Sequence, residues 1–138
     1  MSVESPTGPK LPAPATGVKR IGLAFRYSCS GLRVSFMTGA AFRQECVLAV
    51  VLITTALLLP LDPISKAFLI APVFLVLITE LLNTAIEAVV DLASPGYHQL
   101  AKQAKDAGSA AVFLSFINLG VIWALVLFEP IRNWLPGA

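Results

Sequence analysis

Apolar residues in this chain gather into three long runs, each bounded by proline, glycine or charge. The first lies between Cys46 and about Leu61, is extended upstream through Phe42 to cover about 42–61, and is closed by Pro60-Leu-Asp-Pro63. Ile64 to Asp91 is the second (64–91), interrupted only by Pro72, and Ala107 to Phe128 the third (107–128). A hydrocarbon layer of about 30 Å asks for about twenty apolar residues in a helix, so the pattern predicts three transmembrane helices. Upstream, Ile21, Phe25, Cys29, Leu32 and Phe36 recur every three or four residues, with Lys19, Arg20, Arg26 and Arg33 among them. That spacing predicts an amphipathic helix over 18–38 with a basic side, suited to the plane of a membrane surface. A helix packed on its own bundle is the competing reading. The expectation is an all-α membrane protein with an N-terminal surface helix and three transmembrane helices, in one domain over 18–138. Residues 1–17, rich in Pro, Ser, Thr and Gly, lack the apolar core of a secretory signal and are expected as a disordered tail.

The second run carries an anomaly. In Glu80-Leu-Leu-Asn83-Thr-Ala-Ile-Glu87-Ala-Val-Val-Asp91, four polar side chains thread an otherwise apolar segment. At 100° per residue, positions 80, 83, 87 and 91 fall within about 80° of one another on a helical wheel, so they line one stripe. Carboxyl groups in a bilayer cost a few kcal/mol and face bundle interiors, pathways or reaction sites.

Composition agrees: 57% of the 138 residues are hydrophobic and 13% charged, against about 25% charged in soluble domains. A net charge of +2, with no basic run interleaved with aromatics, argues against a nucleic-acid partner. Lys10, Lys19, Arg20, Arg26, Arg33 and Arg43 precede the first span's apolar run, whereas only Lys66 follows it. Lys102 and Lys105 lie in the segment 92–106, read as a solvated loop broken by Ser94-Pro95-Gly96. By the positive-inside rule the N-terminus and that loop are expected on the cytoplasmic side. Cys29 and Cys46 then face a reducing compartment and read as small apolar fillers.

Orientation gives the stripe a depth. Counted from Pro63 at 1.5 Å per residue, Glu80 lies about 25 Å across a core of about 30 Å, and Glu87 about 10 Å further, at headgroup level. A cytosolic molecule and a lipid head could meet there. Two carboxylates two turns apart cannot clasp one ion, so Glu80 and Glu87 are expected to do different work. Glu80 suits a general base, Glu87 a magnesium ligand, Asn83 a hydrogen-bonding support for either, and Lys105 a phosphate contact. Plainer readings stand beside these. Asn83, Glu87 and Asp91 would serve as interhelical glue, Lys105 and Asp106 as a solvated turn, and His98 as a surface-loop histidine. Trp123 and Trp134 would be interfacial or core aromatics, and Gly108-Ser109-Ala110-Ala111 a close-packing stretch.

The stripe, followed by Tyr97-His98 and Ala104-Lys105-Asp106-Ala-Gly-Ser109-Ala-Ala, closely resembles the small bacterial integral-membrane diacylglycerol kinases. The similarity extends upstream through Tyr27-Ser28, Gly31-Leu32-Arg33 and Ala40-Ala41-Phe42-Arg43-Gln44-Glu45, over about residues 20 to 128. The resemblance implies a transferase of the inner membrane, a homotrimer with active sites shared between subunits. It would move the γ-phosphate of MgATP to the primary hydroxyl of diacylglycerol, giving phosphatidic acid. Undecaprenol is the alternative acceptor within the family. No Walker-type GxxxxGK[ST] run is present, so motifs alone do not name ATP.

Carried over by position, Glu80 resembles the catalytic base and Glu87 the metal ligand. Arg20, Tyr27, Gly96, Tyr97, His98, Lys105 and Asp106 match positions that contact ATP. Ser28, Arg33, Arg43, Gln44, Glu45, Ser109 and Trp123 match positions near the lipid, and Asn83 and Asp91 are supporting. One position departs: where the family places a second metal-binding glutamate before Ala-Ala-Phe-Arg, this chain has Gly39. Glu45 or Asp106 would substitute, or the enzyme would be weaker, or its role changed; Gly39→Glu is expected to raise activity at limiting magnesium. Outside the family, an ion-coupled translocator would favour a lone midplane acid, and a noncatalytic assembly protein would leave the stripe unexplained.

Overall fold

The computed structural model describes residues 17–134, without the side chains of Ile131, Asn133 and Trp134; most of the expected tail, and any role of Trp134, lie outside the described residues. Four helices follow in order: α1 (Val18–Thr38), α2 (Ala40–Leu58), α3 (Pro63–Ala93) and α4 (Gln99–Trp134). The chain divides into two compact units, one ending at Arg33 and one beginning at Val34. In the first, the helical residues from Val18 onward are regular, and among them none is buried. The apolar Ile21 and Phe25 are open, as is Cys29.

The second unit holds three helices long and apolar enough to cross a membrane, Ala40–Leu58, Pro63–Ala93 and Gln99–Pro130. At 1.5 Å per residue the shortest, with 19 residues, is about 28 Å long, close to the hydrocarbon thickness. Its end is written in the chain. Pro60 drives the preceding residue out of helical geometry, and Leu59 is extended with ψ 139°. Asp62 starts the next helix, accepting at Oδ1 from the backbone N–H groups of Ile64 (2.9 Å) and Ser65 (3.1 Å), with Pro63 in the first turn. Lys66 Nζ donates to the Leu57 carbonyl at 2.8 Å, satisfying a carbonyl at the end of α2 and stitching the hairpin closed.

α3 packs against both α2 and α4. Ala49, Val73, Val76 and Leu119 form the buried centre, with Leu52, Ile53, Leu77, Phe116 and Trp123 around it. Pro72 is buried inside α3 and removes one helical N–H; close by, the Trp123 indole donates to the Leu69 carbonyl at 2.9 Å. Trp123 is therefore a half-buried pin between α3 and α4, the core-aromatic reading. Outer faces carrying Val47, Val50, Phe74, Ile78, Phe113, Val121 and Leu125 are exposed, as suits apolar side chains turned to lipid tails.

The segment 92–106 differs from the loop read from hydropathy. α3 ends at Ala93, Ser94 leaves helical geometry before Pro95, and α4 already begins at Gln99. Lys102, Lys105 and Asp106 thus sit on helix rather than loop. Leu100-Ala-Lys-Gln-Ala-Lys105 are all good helix formers, and hydropathy marks where a helix enters lipid, not where it starts. His98 supplies the cap: its Nδ1 accepts from the Leu100 N–H at 3.2 Å, and its carbonyl accepts from the Lys102 N–H at 3.0 Å.

Candidate functional site

The polar stripe of α3 grades from closed to open. Glu80 is 6% exposed and Asn83 8%, Glu87 is half-buried, and Asp91 is exposed. The order follows the helix out of the packed bundle, where α2 and α4 flank its inner end. Asn83 Nδ2 donates to Glu87 Oε1 at 3.2 Å, four residues on, which orients that carboxylate. Asn83 Oδ1 is enclosed and has no hydrogen-bond partner among the described residues.

Across from the closed end, Glu45 of α2 is also buried, at 8% exposure, and its charge and that of Glu80 are near enough to repel. Its Oε2 has no hydrogen-bond partner among the described residues. Glu45 lines a cavity of about 320 Å³ with Ala41, Gln44, Leu48 and Phe116. A largely apolar hollow with one amide and one carboxylate can take an acyl-linked head bearing a hydroxyl.

At the open end, the last turns of α3 and the first of α4 enclose a cleft of about 440 Å³. Gly96, Tyr97 and His98 form its loop wall, and Asp91, Lys102, Lys105 and Asp106 its charged walls. Lys105 Nζ lies 2.6 Å from Asp91 Oδ1, and Lys102 pairs with Asp106 one helical turn away. With Nδ1 engaged by the helix cap, the His98 Nε2 has no partner among the described residues and can make a second contact.

Five residues matched to nucleotide contacts, Gly96, Tyr97, His98, Lys105 and Asp106, therefore come together in one cleft. Arg20, Tyr27, Ser28 and Arg33 belong to the first unit, where each is exposed. Among the positions matched to lipid, Gln44 and Glu45 share the cavity, while Arg43, Ser109 and Trp123 are not part of its lining. The Arg43 guanidinium instead donates to the carbonyls of Phe36 (3.2 Å) and Met37 (3.0 Å), closing the end of α1. Ser109 is exposed on α4. Lys102 is a cleft residue the pattern did not single out; its signal was the helical spacing of 98, 102 and 105, hidden once the segment was read as loop.

A magnesium ion carried by nucleotide phosphates needs only one or two protein carboxylates, because phosphate oxygens and water complete its shell. Glu87, held by Asn83, fits that role; among the described residues no group of three His, Cys, Asp or Glu forms a metal cage. At Gly39 a side chain would be crowded: a Cβ there would stand 2.8 Å from the Ser35 carbonyl oxygen, which already accepts the Gly39 N–H.

The sequence model of the family described as prokaryotic diacylglycerol kinase matches residues 26–127. A diacylglycerol kinase of Pseudomonas aeruginosa is 49% identical over 112 residues, covering 81% of this chain and 91% of that protein. One of Escherichia coli strain K12 is 45% identical over 114 residues (83% and 93%), and one of Haemophilus influenzae 40% over 113 (82% and 96%). Matched on this scale, with the polar stripe and the lysine cleft inside the matched region, the chain belongs to the prokaryotic diacylglycerol kinase family.

Proposed function

We propose that this protein transfers the γ-phosphate of ATP to the primary hydroxyl of diacylglycerol, yielding phosphatidic acid and ADP. The observation that carries the reading is the continuity of one helix face, from buried Glu80 past Glu87 to a cleft walled by Lys102 and Lys105. A lipid hydroxyl and a polyphosphate would meet along it.

Glu80 takes the proton of the acceptor hydroxyl on a carboxylate oxygen as that hydroxyl oxygen bonds to the γ-phosphorus and the bond to the β-phosphate oxygen breaks. Lys105 and Lys102 hold phosphate oxygens, while Gly96, Tyr97, His98 and Asp106 seat the rest of the nucleotide; Arg20 and Tyr27 are assigned to ATP only by the family positions they match. Magnesium, when bound at Glu87 with Asn83 supporting it, would neutralise charge on the transferring group. Gln44 and Glu45 receive the glycerol head; Ser28, Arg33 and Ser109 are assigned to the lipid only by the family positions they match, and Arg43 and Trp123, engaged with carbonyls, keep their helices in register.

The protein is proposed to sit in the bacterial inner membrane with its N-terminus in the cytoplasm, as a homotrimer whose subunits complete each other's sites. Each relative named above is called a diacylglycerol kinase, which favours diacylglycerol over undecaprenol. Purified protein in detergent micelles, given labelled ATP and either alcohol, tests this: labelled phosphatidic acid is the expected product. Label on undecaprenol alone, or on neither lipid, would overturn the proposal.

A further inference from the structure

Gly108 lies buried on α4 where that helix crosses the stripe of α3. A Cβ built there would run into Asn83 Oδ1 and stand 3.3 Å from Asn83 Cγ. The same amide is the one that donates to Glu87 Oε1 at 3.2 Å through its other end, and its oxygen has no hydrogen-bond partner among the described residues. Hydrogen bonding alone therefore does not explain why the amide lies as it does. The bare face of Gly108 leaves the space the oxygen end occupies, and only with the amide in that space does the nitrogen reach Glu87. By contrast Gly120, on the same helix, has nothing within 4 Å of a Cβ.

We propose that Gly108 is a positioning residue: it seats the Asn83 amide, and Asn83 in turn aims the Glu87 carboxylate at the nucleotide-borne metal. The inference rests on the metal-binding role proposed for Glu87. A side chain at 108 pushes the amide off its seat, the Asn83 to Glu87 hydrogen bond is lost, and Glu87 samples rotamers that do not face the ion. Partners that orient a metal ligand typically change affinity by about 10- to 100-fold when removed.

The test measures Mn²⁺ binding by paramagnetic resonance, in the presence of a nonhydrolysable ATP analogue, on the full-length protein in micelles. Gly108→Ala and Asn83→Ala are each expected to weaken Mn²⁺ binding about tenfold. The double variant is expected to match Asn83→Ala alone, because the clash and the amide have gone together. Gly120→Ala should bind as the parent does. The double variant keeps the experiment decisive should Gly108→Ala alone fold poorly. A further loss in the double variant beyond Asn83→Ala, or parental affinity in Asn83→Ala while Glu87→Gln binds weakly, overturns the positioning role. Parental affinity in Glu87→Gln overturns the metal role beneath it.

Discussion

Lys105 Nζ stands 2.6 Å from Asp91 Oδ1, tying the first turns of α4 to the last turns of α3 at the wall of the 440 Å³ cleft. Both side chains remain partly exposed, so solvent screens the pair and it adds little to stability. In the proposed reaction it would hold an ammonium group over the cleft until phosphate displaces the carboxylate. Lys105→Met is expected to lower kcat/KM for ATP about ten- to hundredfold, the scale of a charge-assisted hydrogen bond, with unchanged thermal stability. Asp91→Asn should leave kcat within a few-fold of the parent, because the lysine survives. Steady-state kinetics against ATP concentration checks both.

Lys102 shares that cleft and is held by Asp106. A second ammonium near a polyphosphate strengthens binding through charge more than through geometry, so salt screens its effect. Lys102→Gln is expected to raise KM for ATP several-fold at low ionic strength, and the gap from the parent should close as salt rises. A gap that persists unchanged in high salt would show that Lys102 acts other than by charge.

The polar stripe was legible because its signal is local: residues 80, 83, 87 and 91 share a face on any α-helix, and their type is out of place among Leu, Ile and Val. The three spans were legible for the same reason. The start of α4 was not, since hydropathy reports solvent and the His98 cap depends on a side-chain rotamer. Nor was the Gly108 seat, which exists only when α3 and α4 are brought together. Arg43 looked like a site residue by position, and its contacts with Phe36 and Met37 become visible only at the folded elbow.

That elbow changes what is expected of Gly39. A β-carbon at position 39 meets the Ser35 carbonyl oxygen at 2.8 Å, backbone that can yield only if the junction shifts. Strain and a new carboxylate then arrive together in Gly39→Glu, and Gly39→Ala separates them. Both variants are expected to melt below the parent, and Gly39→Glu to need less magnesium than Gly39→Ala for half-maximal turnover. Equal magnesium dependence in the two would show that a carboxylate at 39 does not reach the ion.

At the other end of the spans, hydrogen bonds from the Ser65 hydroxyl and backbone N–H, with one from the Ile64 N–H, hold the Asp62 carboxyl below its usual value of 3.8. A carboxyl whose folded value is depressed stabilises the fold at pH above its unfolded value and loses that contribution as pH falls through the folded one. The melting-temperature gap between parent and Asp62→Ala should therefore be constant from neutral pH down to about 5 and shrink below 3.8. Ser65→Ala removes the largest cause, so its gap should close at higher pH. Thermal scans in micelles across acid buffers read this directly.

Glu80 combines burial, a second buried acid near it in Glu45, and no side-chain hydrogen bond among the described residues. A buried acid without a donor is left open to a substrate hydroxyl, as the proposed base requires. Glu80→Gln keeps the shape and removes the basicity. Its turnover is expected to drop about 10²- to 10⁴-fold, while ATP binding and helix content stay at parental levels. Melting temperature should hold or rise, because a buried ionisable group with no donor is replaced by a neutral amide of the same shape. The same substitution at Glu45 also removes a buried acid but leaves the proposed base in place, so Glu45→Gln should share the gain in stability and lose far less in rate. Comparable rate losses at both positions would mean that the pair, not Glu80 alone, takes the proton.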